Sequence, residues 1–185
     1  GIEYIELSGV VPNPRLSLVK EGIALCKKEN VDFVLAVGGG SVIDSSKAIA
    51  FGALLKDEDI WDNYYMVQGS VVKETLGVGV ILTIPAAGSE SSSYSVLTND
   101  ESNLKRAVNC ETIIPRFAIM DPETNYSLPD YQTACGAADI LAHLQERYFT
   151  NETHNDLSDR FLESAMRNII SYAPLALKAP TDYRY

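Results

Sequence analysis

The 185-residue chain has little cysteine and less histidine. Its three cysteines, Cys26, Cys110 and Cys135, are odd in number and widely spaced, with no C-x-x-C pair. That pattern excludes a disulfide framework and a thiolate zinc site, and it fits a reducing, cytoplasmic setting. The two histidines, His143 and His154, cannot build a His-rich centre by themselves. No stretch of about 20 apolar residues occurs, so no membrane span or membrane partner is expected. Positive charge is also short: the formal net charge is -10, which disfavours nucleic acid as a partner. The opening Gly1-Ile2-Glu3-Tyr4 has no basic stretch leading into an apolar run, so it does not read as a signal peptide. It also lacks a starting Met and runs at once into strand-like residues, so the expectation is that the chain continues upstream.

What is present is ordinary globular material, 46% hydrophobic and 22% charged. Hydrophobic periodicity predicts a short strand at Tyr4–Leu7 and a helix launched by Pro12-Asn13-Pro14 that runs to about Lys28. A strand at 32–37 follows, apolar from Phe33 to Val37, as expected of a strand buried on both faces. The pattern then predicts a helix over 41–55, a strand over 78–84, a polar hairpin from 94–97 and 106–109, and a strand over 117–120. After Pro122 no strand candidate remains, and helices are expected over 131–149 and 157–172. The predicted fold is an α/β domain followed by an all-helical domain, here incomplete. The first has a mostly parallel sheet with helices on both faces. The domains are set at 1–124 and 125–185. The exposed apolar faces of two helices alone predict poor solubility for an isolated chain of this length.

Three segments carry chemistry. Gly38-Gly39-Gly40-Ser41 stands between a buried strand and a helix start. Glycines let a phosphate approach the backbone and permit positive φ, and the helix N-terminus offers free N–H groups with partial positive charge. The pattern is neither G-x-G-x-x-G nor a Walker loop, so a plain tight turn is the other reading. Ser41 with Asp44 three residues on reads as a variant capping box, Asp44 accepting from backbone N–H groups with an added cofactor contact. Lys47 reads equally as a solvated surface residue or as a cofactor contact. The second segment, Thr83 to Ser93, is rich in small and hydroxylated residues, able to pass close to a flat ligand; local serine-to-backbone bonds are the alternative. In the third, Asp139 and His143 lie four apart on one helical face. An Asp oxygen beside a His nitrogen suits a divalent transition metal, although a simple Asp–His hydrogen bond has the same spacing. His154 sits in a polar stretch between helices and is expected to face solvent.

Taken together and in order, these runs resemble the iron-containing (group III) alcohol dehydrogenases, in particular the butanol-dehydrogenase-like branch. The match rests on Ala36 to Asp44, Leu82 to Ser91, and Gly136-Ala137-Ala138-Asp139 with His143, with Asp121-Pro122 and Leu128-Pro129 between. The resemblance implies the dehydroquinate synthase-like fold, an α/β domain followed by a helical one. It implies interconversion of alcohols and aldehydes with NAD or NADP and a divalent metal, Fe or Zn, in a protein that is often a homodimer. It assigns the cofactor pyrophosphate to Gly38, Gly39, Gly40 and Ser41, with Asp44 in support. Thr83, Ser89 and Ser92 fall around the remainder of the dinucleotide, and Lys105 near its reacting end. Asp139 and His143 match the first two metal ligands. Two further histidines and an upstream glycine-containing loop belong to the pattern and are not in these 185 residues, and Ala87 replaces a residue that is often hydroxylated. The expectation is an internal stretch of a longer enzyme, inactive alone. The alternatives are a glycerol-dehydrogenase or dehydroquinate-synthase relative and a non-catalytic nucleotide-binding remnant.

Overall fold

The computed structural model describes residues 1–184. Two compact units are present. The first comprises Gly1–Leu82 and Gly88–Ile119, and the second Thr83–Ala87 and Met120–Tyr185, of which Tyr185 lies outside the described residues.

In the first unit, helix α1 (Leu16–Glu29) buries Leu16, Val19, Gly22 and Cys26 along one face. Arg15 offers its N-terminus no side-chain cap; instead the Ser17 N–H donates to Asp100 Oδ2 at 2.9 Å, a carboxylate placed where the helix dipole favours it. Asn30 ends the helix in the left-handed region at φ 54°, which asparagine tolerates. Strand β1 (Phe33–Gly38) leads into α2 (Gly40–Gly52), and β2 (Gly77–Leu82) returns parallel to β1. β3 (Tyr94–Thr98) and β4 (Lys105–Asn109) form an antiparallel hairpin, and β5 (Phe117–Ile119) adds to the sheet in the order β1-β2-β5. The hairpin is less polar than expected, because Leu97 and Val108 are fully buried with Leu16, Val19, Phe51 and Trp61.

Three local readings change. Tyr4–Leu7 is not a strand: it has no ladder partner, and a strand without one has no hydrogen bonds to hold it. β1 is not buried on both faces. Ala36 faces Ile43 and Val80, but Phe33, Leu35 and Val37 are exposed, and the Phe33 ring stacks on Phe117 at 5.9 Å. α2 starts one residue before Ser41, with Gly39 at the N-cap and no side-chain cap, so the capping box is absent.

Between α2 and β2, residues Trp61–Tyr65 make one π-helical turn. Asp59 Oδ1 accepts from the N–H groups of Trp61 (2.8 Å) and Asp62 (3.1 Å), which starts the turn. The Trp61 and Tyr65 rings then stack at 5.7 Å, and Phe51 packs on Tyr65 at 6.4 Å. Burying an aromatic of this size contributes about 1.5–3 kcal/mol.

The second unit has α3 (Asp130–Tyr148) and α4 (Asp156–Lys178) packed together. α4 runs six residues past the predicted end and carries Pro174 inside it. A proline there removes a hydrogen bond, so sequence rules stop the helix. The small residues Ala173 and Ala176 beyond that point line a cavity of about 230 Å³ with Ile140, Ile169 and Tyr172, and this packing accompanies the continued helix. No helix among the described residues is long and apolar enough to cross a membrane.

Candidate functional site

The parallel register pairs Gly38 with Leu82, so β1 and β2 end at the same sheet edge. Ligands bind at such edges, at the carboxyl ends of parallel strands. Gly38 closes β1 against Val42, and a Cβ there would lie 2.5 Å from Val42 Cγ2. Gly39 has φ -90° and no residue of Gly38–Gly40 takes positive φ, so the glycines serve close approach rather than a left-handed turn. The first N–H groups of a helix have no intrahelical acceptor. Those of Val42 (3.0 Å) and Ile43 (3.1 Å) both turn back to the Gly39 carbonyl, which leaves those of Gly40 and Ser41 for an outside acceptor. A helix N-terminus with free donors suits an anionic phosphate.

Gly88 takes positive φ, at 72°, where the chain enters the serine loop. Ser89 is buried, Ser91 is exposed, and Ser92 is half-buried. This loop is tied to α2 from beneath. Lys47 is fully buried, and its Nζ donates to the Ser92 carbonyl (2.8 Å), the Tyr94 carbonyl (2.8 Å) and Ser92 Oγ (3.3 Å). Neither expectation for Lys47 holds, since a side chain without exposed surface is not solvated and reaches no ligand where it stands. Asp44 caps nothing in its own helix; its Oδ2 accepts the Val96 N–H at 3.0 Å, joining α2 to β3. Ser95 Oγ donates to the Asp44 carbonyl at 2.8 Å. That uses its one proton, so the Tyr65 hydroxyl, 2.7 Å away, is the donor to Ser95. Tyr65 and Ser95 escaped the sequence reading; the only local signal was an aromatic cluster next to Asp59.

Burial sets the electrostatics. It raises the Asp44 carboxyl above its usual range, opposed by the Val96 N–H, the Lys47 charge, the Ser89 hydroxyl and Lys105. Asp44 Oδ1 nevertheless has no partner of good hydrogen-bond geometry, so one buried acceptor is open beside the glycine helix. Burial likewise pushes the Lys47 ammonium down to about 8, against the pull of Asp44 and Glu90. An unfolded lysine titrates near 10.4. Between about pH 8 and 10.4 the unfolded chain holds a proton that the folded chain has shed, so stability from this group rises with pH across that window. Urea midpoints of wild type and Lys47→Met, compared from pH 7.5 to 10, cancel the other titrating groups. The wild-type advantage should grow with pH, and a shrinking advantage means that Lys47 keeps its charge.

Lys105 is exposed at the start of β4, where its Nζ donates to Asn13 Oδ1 at 2.9 Å. Gly38–Ser41, Asp44, Ser89, Ser92 and Lys105 all belong to the first unit, whereas Thr83, Asp139 and His143 belong to the second.

In the second unit, Asp139 Oδ2 and His143 Nε2 stand 3.8 Å apart on α3, and both side chains are about half exposed. Two bonds of about 2.1 Å to one tetrahedral ion would place such atoms about 3.4 Å apart, so a small rotamer change lets both bind one cation. No group of three or more His, Cys, Asp or Glu assembles among the described residues. The pair therefore fits half of a metal centre. His154 is exposed, as expected.

The first unit is a strand–glycine turn–helix α/β fold and the second is helical. Residues 1–122 match the family model for iron-containing alcohol dehydrogenases, and the chain belongs to that family. It is 42% identical over 182 residues to an NADH-dependent butanol dehydrogenase B of Clostridium acetobutylicum, covering 98% of this chain and 46% of that protein. An NADPH-dependent aldehyde reductase of Escherichia coli is 35% identical, covering 99% of this chain and 47% of its own length. Among solved structures, an NADH-dependent butanol dehydrogenase A from Thermotoga maritima superposes with a TM-score of 0.92 at 39% identity, covering the whole of this chain and 45% of that one. The chain thus spans about half the length of the curated relatives it matches.

Proposed function

We propose that this chain carries the dinucleotide-binding region, and two metal ligands, of an NAD(P)-dependent alcohol dehydrogenase or aldehyde reductase. Its reaction is hydride transfer between the nicotinamide and a small to medium primary alcohol or aldehyde. The observation that carries the reading is the α2 N-terminus, where the Gly40 and Ser41 N–H groups meet no acceptor among the described residues, behind a glycine turn. These donors, with Ser41, hold the pyrophosphate, and the dipole of α2 favours its charge. Asp44, Ser89, Ser92 and Thr83 serve the rest of the dinucleotide, and Lys105 its reacting end. We assign 1–124 to nucleotide binding and 125–185 to the start of the metal-binding domain. Asp139 supplies negative charge and His143 a neutral nitrogen to hold Fe or Zn. When bound, such an ion acts as a Lewis acid on the alcohol or aldehyde oxygen.

A cytoplasmic homodimer is the setting we favour, supported by three free cysteines and by exposed apolar residues such as Phe33, Leu35, Phe161 and Ile170. A second reading, cofactor binding without turnover, is separated from the first by assay. The test is titration of the whole protein with NADH and NADPH, followed by an NAD(P)H–butanal assay with Fe²⁺ or Zn²⁺ supplied. Binding with turnover supports the enzyme, and binding without turnover the second reading. Absence of binding to both cofactors removes both.

A further inference from the structure

We propose that Lys47 is a positioning residue, fastening the Ser89–Tyr94 loop to the helix behind the glycine turn so that Ser89 and Ser92 face a dinucleotide. This rests on the dinucleotide reading of the site. The geometry is one-sided: all three donors of the ammonium go to this loop, two of them to main-chain carbonyls. A buried carbonyl left without a donor is costly. The loop's own bonds are weaker. The Ser91 N–H reaches the Gly88 carbonyl at 3.1 Å, and Ser91 Oγ reaches it at 3.4 Å. The Tyr94 N–H reaches Ser92 Oγ only at 3.4 Å. Gly88, in the left-handed region, gives the loop a free pivot at its start.

Lys47 is one helical turn beyond Asp44, which holds β3 through the Val96 N–H. One face of α2 therefore carries two fasteners, four residues apart in their targets, Ser92 and Val96. The groups facing Lys47 are Asp44 on its own helix and Glu90 in the loop; Tyr65 and Lys105 act on the same buried patch through Asp44. Because Nζ has no exposed surface, Lys47 acts on cofactor binding through the groups it touches, the loop through three hydrogen bonds and Asp44 through charge.

The test compares wild type, Lys47→Met and Lys47→Arg by amide hydrogen exchange without cofactor and by NADH titration. In Lys47→Met the amides of residues 91–94 should exchange at least tenfold faster, while those of β2 keep the wild-type rate. NADH affinity should fall at least tenfold at a temperature where circular dichroism shows the variant folded. Lys47→Arg, which keeps charge and donors, should recover most of both. A folded Lys47→Met with wild-type loop exchange and NADH affinity within twofold overturns the proposal. If Lys47→Met does not fold, the unliganded wild type decides. Protection of the 91–94 amides before NADH is added supports the clamp, and free exchange until NADH is added overturns it. Should wild type bind neither NADH nor NADPH, the dinucleotide reading fails on its own, while the cofactor-free exchange still reports on the clamp.

Discussion

Replacing Asp139 by Ala should lower bound metal and metal-dependent turnover together, by at least about 100-fold, with almost no change in folding stability. The first half follows from charge. Asp139 is the anionic member of a two-residue set whose oxygen and nitrogen lie 3.8 Å apart. Loss even of groups that merely orient metal ligands costs about 10–100-fold, and loss of a ligand costs more. The second half follows from exposure. Both side chains are about half exposed, and a solvated i,i+4 pair contributes only about 0.3–0.5 kcal/mol. The two expectations separate a ligand from a structural ion pair. Elemental analysis, turnover and a urea midpoint on the same preparations make the comparison. Full metal content in Asp139→Ala would sink the metal assignment, whatever happens to activity.

Gly136→Val should destabilise the chain by about 3 kcal/mol, and Gly136→Ala by less, although alanine is the better helix former. Gly136 is buried in α3, and a Cβ placed there would lie 2.7 Å from the Pro85 carbonyl oxygen. That neighbour is backbone in the short Thr83–Ala87 segment, so it cannot swing aside as a side-chain tip would. In an open helix, Gly→Ala gains about 0.8–1.0 kcal/mol. Overpacking a close contact costs about 1–3 kcal/mol, so the clash outweighs the propensity for Ala, and branching at Cβ adds to it for Val. Urea unfolding of both variants measures the balance. If Gly136→Ala is more stable than wild type, the Pro85 segment yields readily and does not rest on α3 as a fixed contact. Gly136 thus has a packing reason, separate from the metal-binding role proposed for Asp139 and His143.

Much was legible in the sequence because it depends on neighbours along the chain. The apolar run ending in Gly38-Gly39-Gly40 placed a strand, a turn and a helix N-terminus. The four-residue spacing placed Asp139 and His143 on one face of α3. The hairpin at β3 and β4 and the two long helices after Pro122 came from periodicity, and the co-linear motifs pointed to the family that residues 1–122 match.

Tertiary structure alone decided what distant residues do to one another. Lys47 looked like a surface or ligand-facing lysine until a loop 45 residues further on closed over it. Asp44 looked like a cap until Val96, 52 residues away, took its carboxylate. The N-terminus of α1 is served by Asp100, across 83 residues. Tyr4–Leu7 had strand composition but no partner to pair with among the described residues, and positive φ fell at Gly9, Gly69 and Gly88, all outside the glycine turn. Periodicity reports which face of an element is apolar. It cannot report which polar group will be brought to that face, because that depends on loop closure between segments far apart in the chain, and on the cost of leaving a buried donor or acceptor unpaired.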